Sequence, residues 1–153
     1  MINPGNTVVD IGAGAGDFTQ YFLQQVGALG LVVAIETHPG AYALLKDRFK
    51  DHPNVLVSNA IPHFSGKVQS WQNMWCECQL PCDKPTERRI DFVRINVVGS
   101  ELKILQRLKD LIPHIKNILI DNYVPETPLP ELLSCVHGMS CTILPTGQLL
   151  CTQ

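Results

Sequence analysis

The stretch Thr7-Val8-Val9-Asp10-Ile11-Gly12-Ala13-Gly14-Ala15-Gly16-Asp17 constrains this chain more than any other. A short apolar run breaks into glycines at alternate positions, and a helix-like pattern follows. That order reads as a strand, a tight turn and a helix start. Glycine suits such a turn because it takes positive φ without strain, and because no Cβ blocks a ligand that approaches the backbone.

With 153 residues the chain reads as one domain, 1–153, large enough to bury a core. The net charge of −2 calls for neither nucleic acid nor an anionic membrane as partner, and neither is expected. No run of apolar residues is long enough for a transmembrane helix. Met1 leads almost directly into the first strand, so no signal peptide is expected and the expectation is a cytoplasmic protein or a trimmed domain of something longer.

Strands and helices alternate along the chain. Thr7–Ile11 is a continuous, buried strand, and Phe18, Phe22 and Val26 define one face of a helix with Asp17 in its first turn. Leu31 to Ile35 is a second strand ending at Glu36. Pro39 opens a helix with Ala41, Leu45 and Phe49 inward, and His38 is placed to cap it. Val55–Val57 makes a third strand, followed by Ser58-Asn59-Ala60. Residues 62–89 read as an irregular insertion. Ile90 to Asn96 is a fourth strand, and Ser100 caps a helix from Glu101 to about Leu111, with Leu102, Leu105, Leu108 and Ile112 on one face. Ile118–Ile120 runs into Asp121, Pro130 opens a short helix, and the two strands flanking Pro145-Thr146-Gly147 form a closing antiparallel hairpin.

This order predicts an α/β fold with a mostly parallel sheet and an antiparallel C-terminal edge. Ligands bind such sheets beyond the carboxyl ends of the strands, where strand order reverses. Those ends carry the glycine loop, Glu36, Asn59, Asn96 and Asp121. Polar groups after all five strands indicate a site.

Cysteine adds two expectations. Cys135, Cys141 and Cys151 lie in a helix and two strands, where free thiols behave as small apolar residues. Cys76, Cys78 and Cys82 cluster in the insertion. They could hold a zinc ion with a fourth ligand such as His63, pair as a disulfide, or stay reduced; the last is the main expectation.

The glycine stretch departs from the dinucleotide fingerprint G-x-G-x-x-G, because Asp17 stands where its third glycine belongs. Read as D-x-G-x-G-x-G, it resembles the first motif of methyltransferases that use S-adenosylmethionine. A carboxylate at the helix mouth disfavours a pyrophosphate and tolerates a cationic sulfonium. Glu36, twenty residues beyond Gly16, is spaced to accept both ribose hydroxyls of an adenosyl group.

Four segments extend the likeness. VVDIGAGAGDFT at 8–19, VVAIETHPGAYALL at 32–45, SNAI at 58–61 and IDFVRINVVGSELKIL at 90–105 resemble the FkbM-type methyltransferases. The resemblance implies a single Rossmann-like class I domain, S-adenosylmethionine as cofactor, and methyl transfer to a hydroxyl of a small-molecule or sugar-type acceptor. It places Gly12, Gly14 and Gly16 around the cofactor's amino-acid end with Asp10 as partner. Glu36 would lie on the ribose, Asn59 and Ala60 at the adenine, and Asn96 near the methyl group.

The last segment departs from the family signature K-I-D-V-E-G-x-E. Arg94, Asn96 and Val98 replace its Lys, Asp and first Glu, while Gly99 and Glu101 remain. Neither Asn nor Val can take a hydroxyl proton, and a lost general base costs roughly 10²–10⁴-fold in rate. Asp121, His38 and His63 are the substitute bases to consider. The alternatives are therefore a degenerate methyltransferase fold that binds the cofactor or a protein and, less favoured, a nicotinamide-dependent oxidoreductase.

Overall fold

The computed structural model describes residues 1–59, 90–109, 111–121 and 129–153. Among the described residues seven strands form one sheet: β1 (Thr7–Ile11), β2 (Leu31–Ile35), β3 (Val55–Ser58), β4 (Phe92–Ile95), β5 (Asn117–Ile120), β6 (Ser140–Ile143) and β7 (Leu149–Thr152). Their order is β3-β2-β1-β4-β5-β7-β6. The first five are parallel, with Val9 beside Val33 on one side and Val93 on the other, and β7 runs antiparallel to β5 and β6. This is a Rossmann-like α/β sheet with the expected antiparallel edge. Order reverses between β1 and β4, so the crevice above their ends is the topological switch point.

The pleat sorts residues onto two faces. Val8, Val32 and Ala34 pack with Phe22 and Val26 of α1 (Asp17–Val26) and with Leu45 and Phe49 of α2 (Pro39–Phe49). Val9, Ile11, Val33, Ile35, Val93 and Ile95 pack with Ile104, Leu105 and Leu108 of α3 (Glu101–Leu108) and with Leu132 of α4 (Leu129–Cys135). Strands covered on both faces need continuous apolar sequence, which is why β1 and β2 have no polar alternation.

Several local expectations change. Phe18 is not on the buried face of α1: it is 45% exposed, and Thr19 takes the buried position. The helix α3 ends at Leu108 rather than near Leu111, and Pro113 sits inside a separate 3₁₀ turn, Ile112–His114. Its N-terminus has no side-chain cap from Ser100; instead Glu101 Oε1 accepts from the Gly99 N–H at 3.1 Å. Cys141 and Cys151 are not free thiols. They face each other across β6 and β7 and form a disulfide, because the hairpin register brings them opposite. Cys135 remains free. Among the described residues no helix is long and apolar enough to cross a membrane. The insertion 62–89, with Cys76, Cys78, Cys82 and His63, lies outside the described residues.

Candidate functional site

The glycine loop folds as its sequence demands. Gly12, Gly14 and Gly16 all have positive φ, at 80°, 59° and 95°. Gly12 is also sterically fixed, since a Cβ there would overlap the Asn96 carbonyl oxygen. Gly14 differs: among the described residues nothing lies within 4 Å of where its Cβ would be, so its face is open to them. The N–H groups of Gly12 and Ala13 both donate to the Ile35 carbonyl, at 2.9 and 3.1 Å, which ties the loop to the end of β2.

Glu36 closes this arrangement. Its Oε2 accepts from the Gly14 N–H at 2.9 Å and its Oε1 from the His38 N–H at 2.7 Å. His38 caps α2 as expected, its Nδ1 accepting from the Ala41 N–H at 3.4 Å. Ile11, Gly12, Ile35, Glu36, Thr37, Asn96 and Val97 line a recess of about 130 Å³. The ends of β1, β2 and β4 thus converge on one crevice, at the point where strand order reverses. Among the described residues Glu36 is the one ionisable side chain on that lining.

Behind the loop lies a buried ionic network. Arg94, in the middle of β4, is 2% exposed. Its Nη1 donates to Asp10 Oδ1 at 2.9 Å, and its Nε and Nη2 donate to Asp121 Oδ2 at 3.1 and 2.7 Å. Asp10 Oδ2 accepts from the Thr19 hydroxyl at 2.8 Å, and Asp121 Oδ1 from Gln148 Nε2 at 2.7 Å. The Arg94 guanidinium carbon stands 3.8 Å from the centre of the Phe18 ring. Burial pushes the Asp10 carboxyl above its usual range; the charge and hydrogen bond of Arg94 and the Thr19 hydroxyl oppose that rise.

Of the residues singled out from sequence, Gly12, Glu36 and Asn96 meet at the recess, with Gly14 bonded to Glu36 and Gly16 at the start of α1. Asn59 is exposed after β3, beside the Glu36 end of β2, and Ala60 is outside the described residues. Asp10 and Asp121 do not open on the recess: Asp10 is 0% exposed, and both are engaged with Arg94. Asp17 points outward and pairs with Arg48 at 2.7 Å, so the acid at the helix mouth is partly neutralised. Arg48 also donates to the Ala15 carbonyl at 3.1 Å, clamping the loop from outside.

Sequence reasoning missed the work of Arg94, Thr19 and Gln148. A cation inside Phe92-Val93-Arg94-Ile95 was the available signal, because a charge in a buried strand must find acids to pair with.

Known proteins resemble this chain in fold and in part of its sequence. A family model described as FtsJ-like methyltransferase matches residues 1–72. The catalytic subunit TRM61 of a tRNA (adenine(58)-N(1))-methyltransferase from Yarrowia lipolytica is 38% identical over 61 residues. That stretch is 40% of this chain and 15% of the relative, so the chain spans only a small part of that protein's length. Among solved structures, Aeropyrum pernix fibrillarin with natively bound S-adenosylmethionine superposes with a TM-score of 0.67 at 11% identity, covering 98% of this chain and 66% of its own. The Methanococcus jannaschii fibrillarin, a pre-rRNA processing protein, gives 0.63 at 16% identity over the same shares.

The fold and the cofactor class named by these matches are those expected. The partial match is to an FtsJ-like model over residues 1–72, and the finer FkbM-type likeness is not shown by these matches. The expected partner, a small-molecule acceptor with no nucleic acid, is overturned: the matched proteins are named for tRNA methylation and pre-rRNA processing.

Proposed function

We propose that this chain binds S-adenosylmethionine and takes part in methyl transfer to RNA. The observation that carries the cofactor half is the contact between Glu36 and Gly14. A carboxylate at the end of β2 rests against an open glycine face beside the switch-point recess, where a ribose and a backbone-hugging chain could both be met. The residues fit such a ligand: Glu36 would accept the ribose hydroxyls, the open face of Gly14 admits the amino-acid end, and Asn59 flanks the adenine side. Bound there, the cofactor supplies a methyl group carried on a sulfonium.

The protein's own part is binding and orientation. Asn96 lines the recess at the end of β4 and can position an acceptor, but its amide takes no proton. Asp121 is held by Arg94 and Gln148. This chemistry suits an acceptor that attacks with a lone pair it already has, such as a ring nitrogen of a base, better than a hydroxyl that must lose its proton. The RNA half of the proposal rests on the names of the matched proteins. Lys103 and Arg107, four residues apart on the exposed side of α3, offer phosphates a basic face there, although the net charge is −2. The finer FkbM assignment rests on segment 90–105, which lies beyond the FtsJ-like match and carries less weight.

Incubation with S-adenosylmethionine labelled in its methyl group, together with total tRNA and rRNA, tests this reading. Label that follows RNA and is released by nuclease, at a base rather than a 2′-hydroxyl, is the expected result. Label only on ribose would overturn the ring-nitrogen assignment, and no label on RNA the acceptor class.

A further inference from the structure

We propose that Arg94 is the positioning residue of the cofactor site, a single guanidinium that holds both ends of the glycine loop. The inference rests on the reading of this crevice as a cofactor site. Asp10 stands just before the loop and Phe18 just after it, and Arg94 touches both: a 2.9 Å hydrogen bond to Asp10 Oδ1, and a 3.8 Å approach to the Phe18 ring centre. The remaining donors of the fork reach across to Asp121 at the end of β5. Asp121 is itself held by Gln148, from the turn before β7. The loop is thereby referenced to β1, α1, β4, β5 and the C-terminal hairpin through one side chain.

Fold stability alone does not account for this group. Buried ion pairs pay a desolvation penalty that well-packed apolar residues avoid, so a paired guanidinium is weak evidence of a stabilising role. The neighbouring positions of β4, Val93 and Ile95, show that the strand is otherwise built from apolar residues. Only a fork can do what Arg94 does. It directs separate donors to two carboxylates on different strands while its flat face lies on an aromatic ring; a lysine ammonium is a single point and cannot span them.

Pre-organisation is the consequence. A ligand that binds along the backbone of residues 12–16 needs those groups already in place, since ordering a loop at the moment of binding subtracts from affinity. Asp10 is the group through which the state of Arg94 reaches the loop. The groups facing it are Thr19 from α1, Arg94 from β4 and, behind Arg94, Asp121 from β5; β2 presents the uncharged Ala34 beside it.

The test is calorimetric titration of the whole chain with S-adenosylmethionine between pH 5.5 and 8.5, for the wild type, Arg94→Lys and Gln148→Ala, with the Tm of each unliganded protein. Arg94→Lys is expected to weaken binding at least tenfold. It is also expected to move the acid limb of the affinity profile to higher pH, because Asp10 loses its hydrogen-bonded fork and protonates more readily. Gln148→Ala leaves Arg94 in place but loosens Asp121, and a loss of threefold or more is expected. A lowered unliganded Tm with unchanged affinity and acid limb would reduce Arg94 to a structural ion pair and overturn the proposal. Should Arg94→Lys fail to fold, unchanged affinity in Gln148→Ala overturns it instead. A wild type that does not bind S-adenosylmethionine at all would bring down the cofactor reading first, and this inference with it.

Discussion

The carboxylate of Glu36 accepts a 2.9 Å hydrogen bond from the backbone N–H of Gly14. Through that contact the end of β2 holds the middle of the glycine loop, and the same side chain reaches the entry of α2 through the His38 N–H. The glycine loop, the end of β2 and the entry of α2 therefore share one acid at the mouth of the recess. A ribose that engages Glu36 would bind a group whose position the loop already fixes.

The loop's geometry predicts unequal costs for the same substitution. Gly5 and Gly12 have similar φ, 84° and 80°, but a Cβ at Gly5 meets nothing within 4 Å among the described residues, whereas one at Gly12 would overlap the Asn96 carbonyl. Gly5→Ala is expected to cost only the left-handed conformation, ~1 kcal/mol. Gly12→Ala should cost ~3 kcal/mol or more, because backbone on both sides must move. Denaturant unfolding of the two variants measures the difference, and equal costs would contradict the close approach of β1 to β4.

Asp10 predicts a pH effect of unusual sign. Its folded pKa is raised, chiefly by burial, above the ordinary value of 3.8. Between those two values the unfolded chain has lost the proton that the folded chain keeps, so this group subtracts stability as pH rises through the folded value. Asp10→Asn removes that contribution while keeping a hydrogen-bonding side chain of the same shape. The stability of the variant relative to wild type should therefore increase as pH rises above 3.8. A difference independent of pH, in unfolding curves taken at several pH values, would contradict this.

The Cys141–Cys151 bridge closes a short loop, with a sequence separation of 10. Restricting so short a loop in the unfolded chain is worth ~2–3 kcal/mol. A reductant, or replacement of both cysteines by serine, is thus expected to lower Tm by several degrees. An unchanged Tm on reduction would show that the hairpin owes its stability to its ladder alone.

The sheet was legible because its strands are continuous apolar runs and its turns are marked by Gly, Pro and Asn. The recess was legible because Glu36 lies at a characteristic distance from the glycine loop. The network behind it was hidden for a physical reason. Arg94 meets Asp10 and Asp121 across sequence separations of 84 and 27, and only strand register brings them together. The disulfide was hidden likewise, since pairing Cys141 with Cys151 depends on the hairpin register. Nucleic acid was set aside because of a net charge of −2, but net charge sums the whole chain, while contact with phosphates is local.

Thermal unfolding with S-adenosylmethionine tests the central claim most directly. At about 100 times the Kd, binding adds ~2.7 kcal/mol, which should raise Tm by roughly 5–10 °C in a chain of this size. S-adenosylhomocysteine should act similarly and NAD should not, and Glu36→Ala should lose most of the rise. A rise with NAD alone, or none with any of the three, would contradict the account.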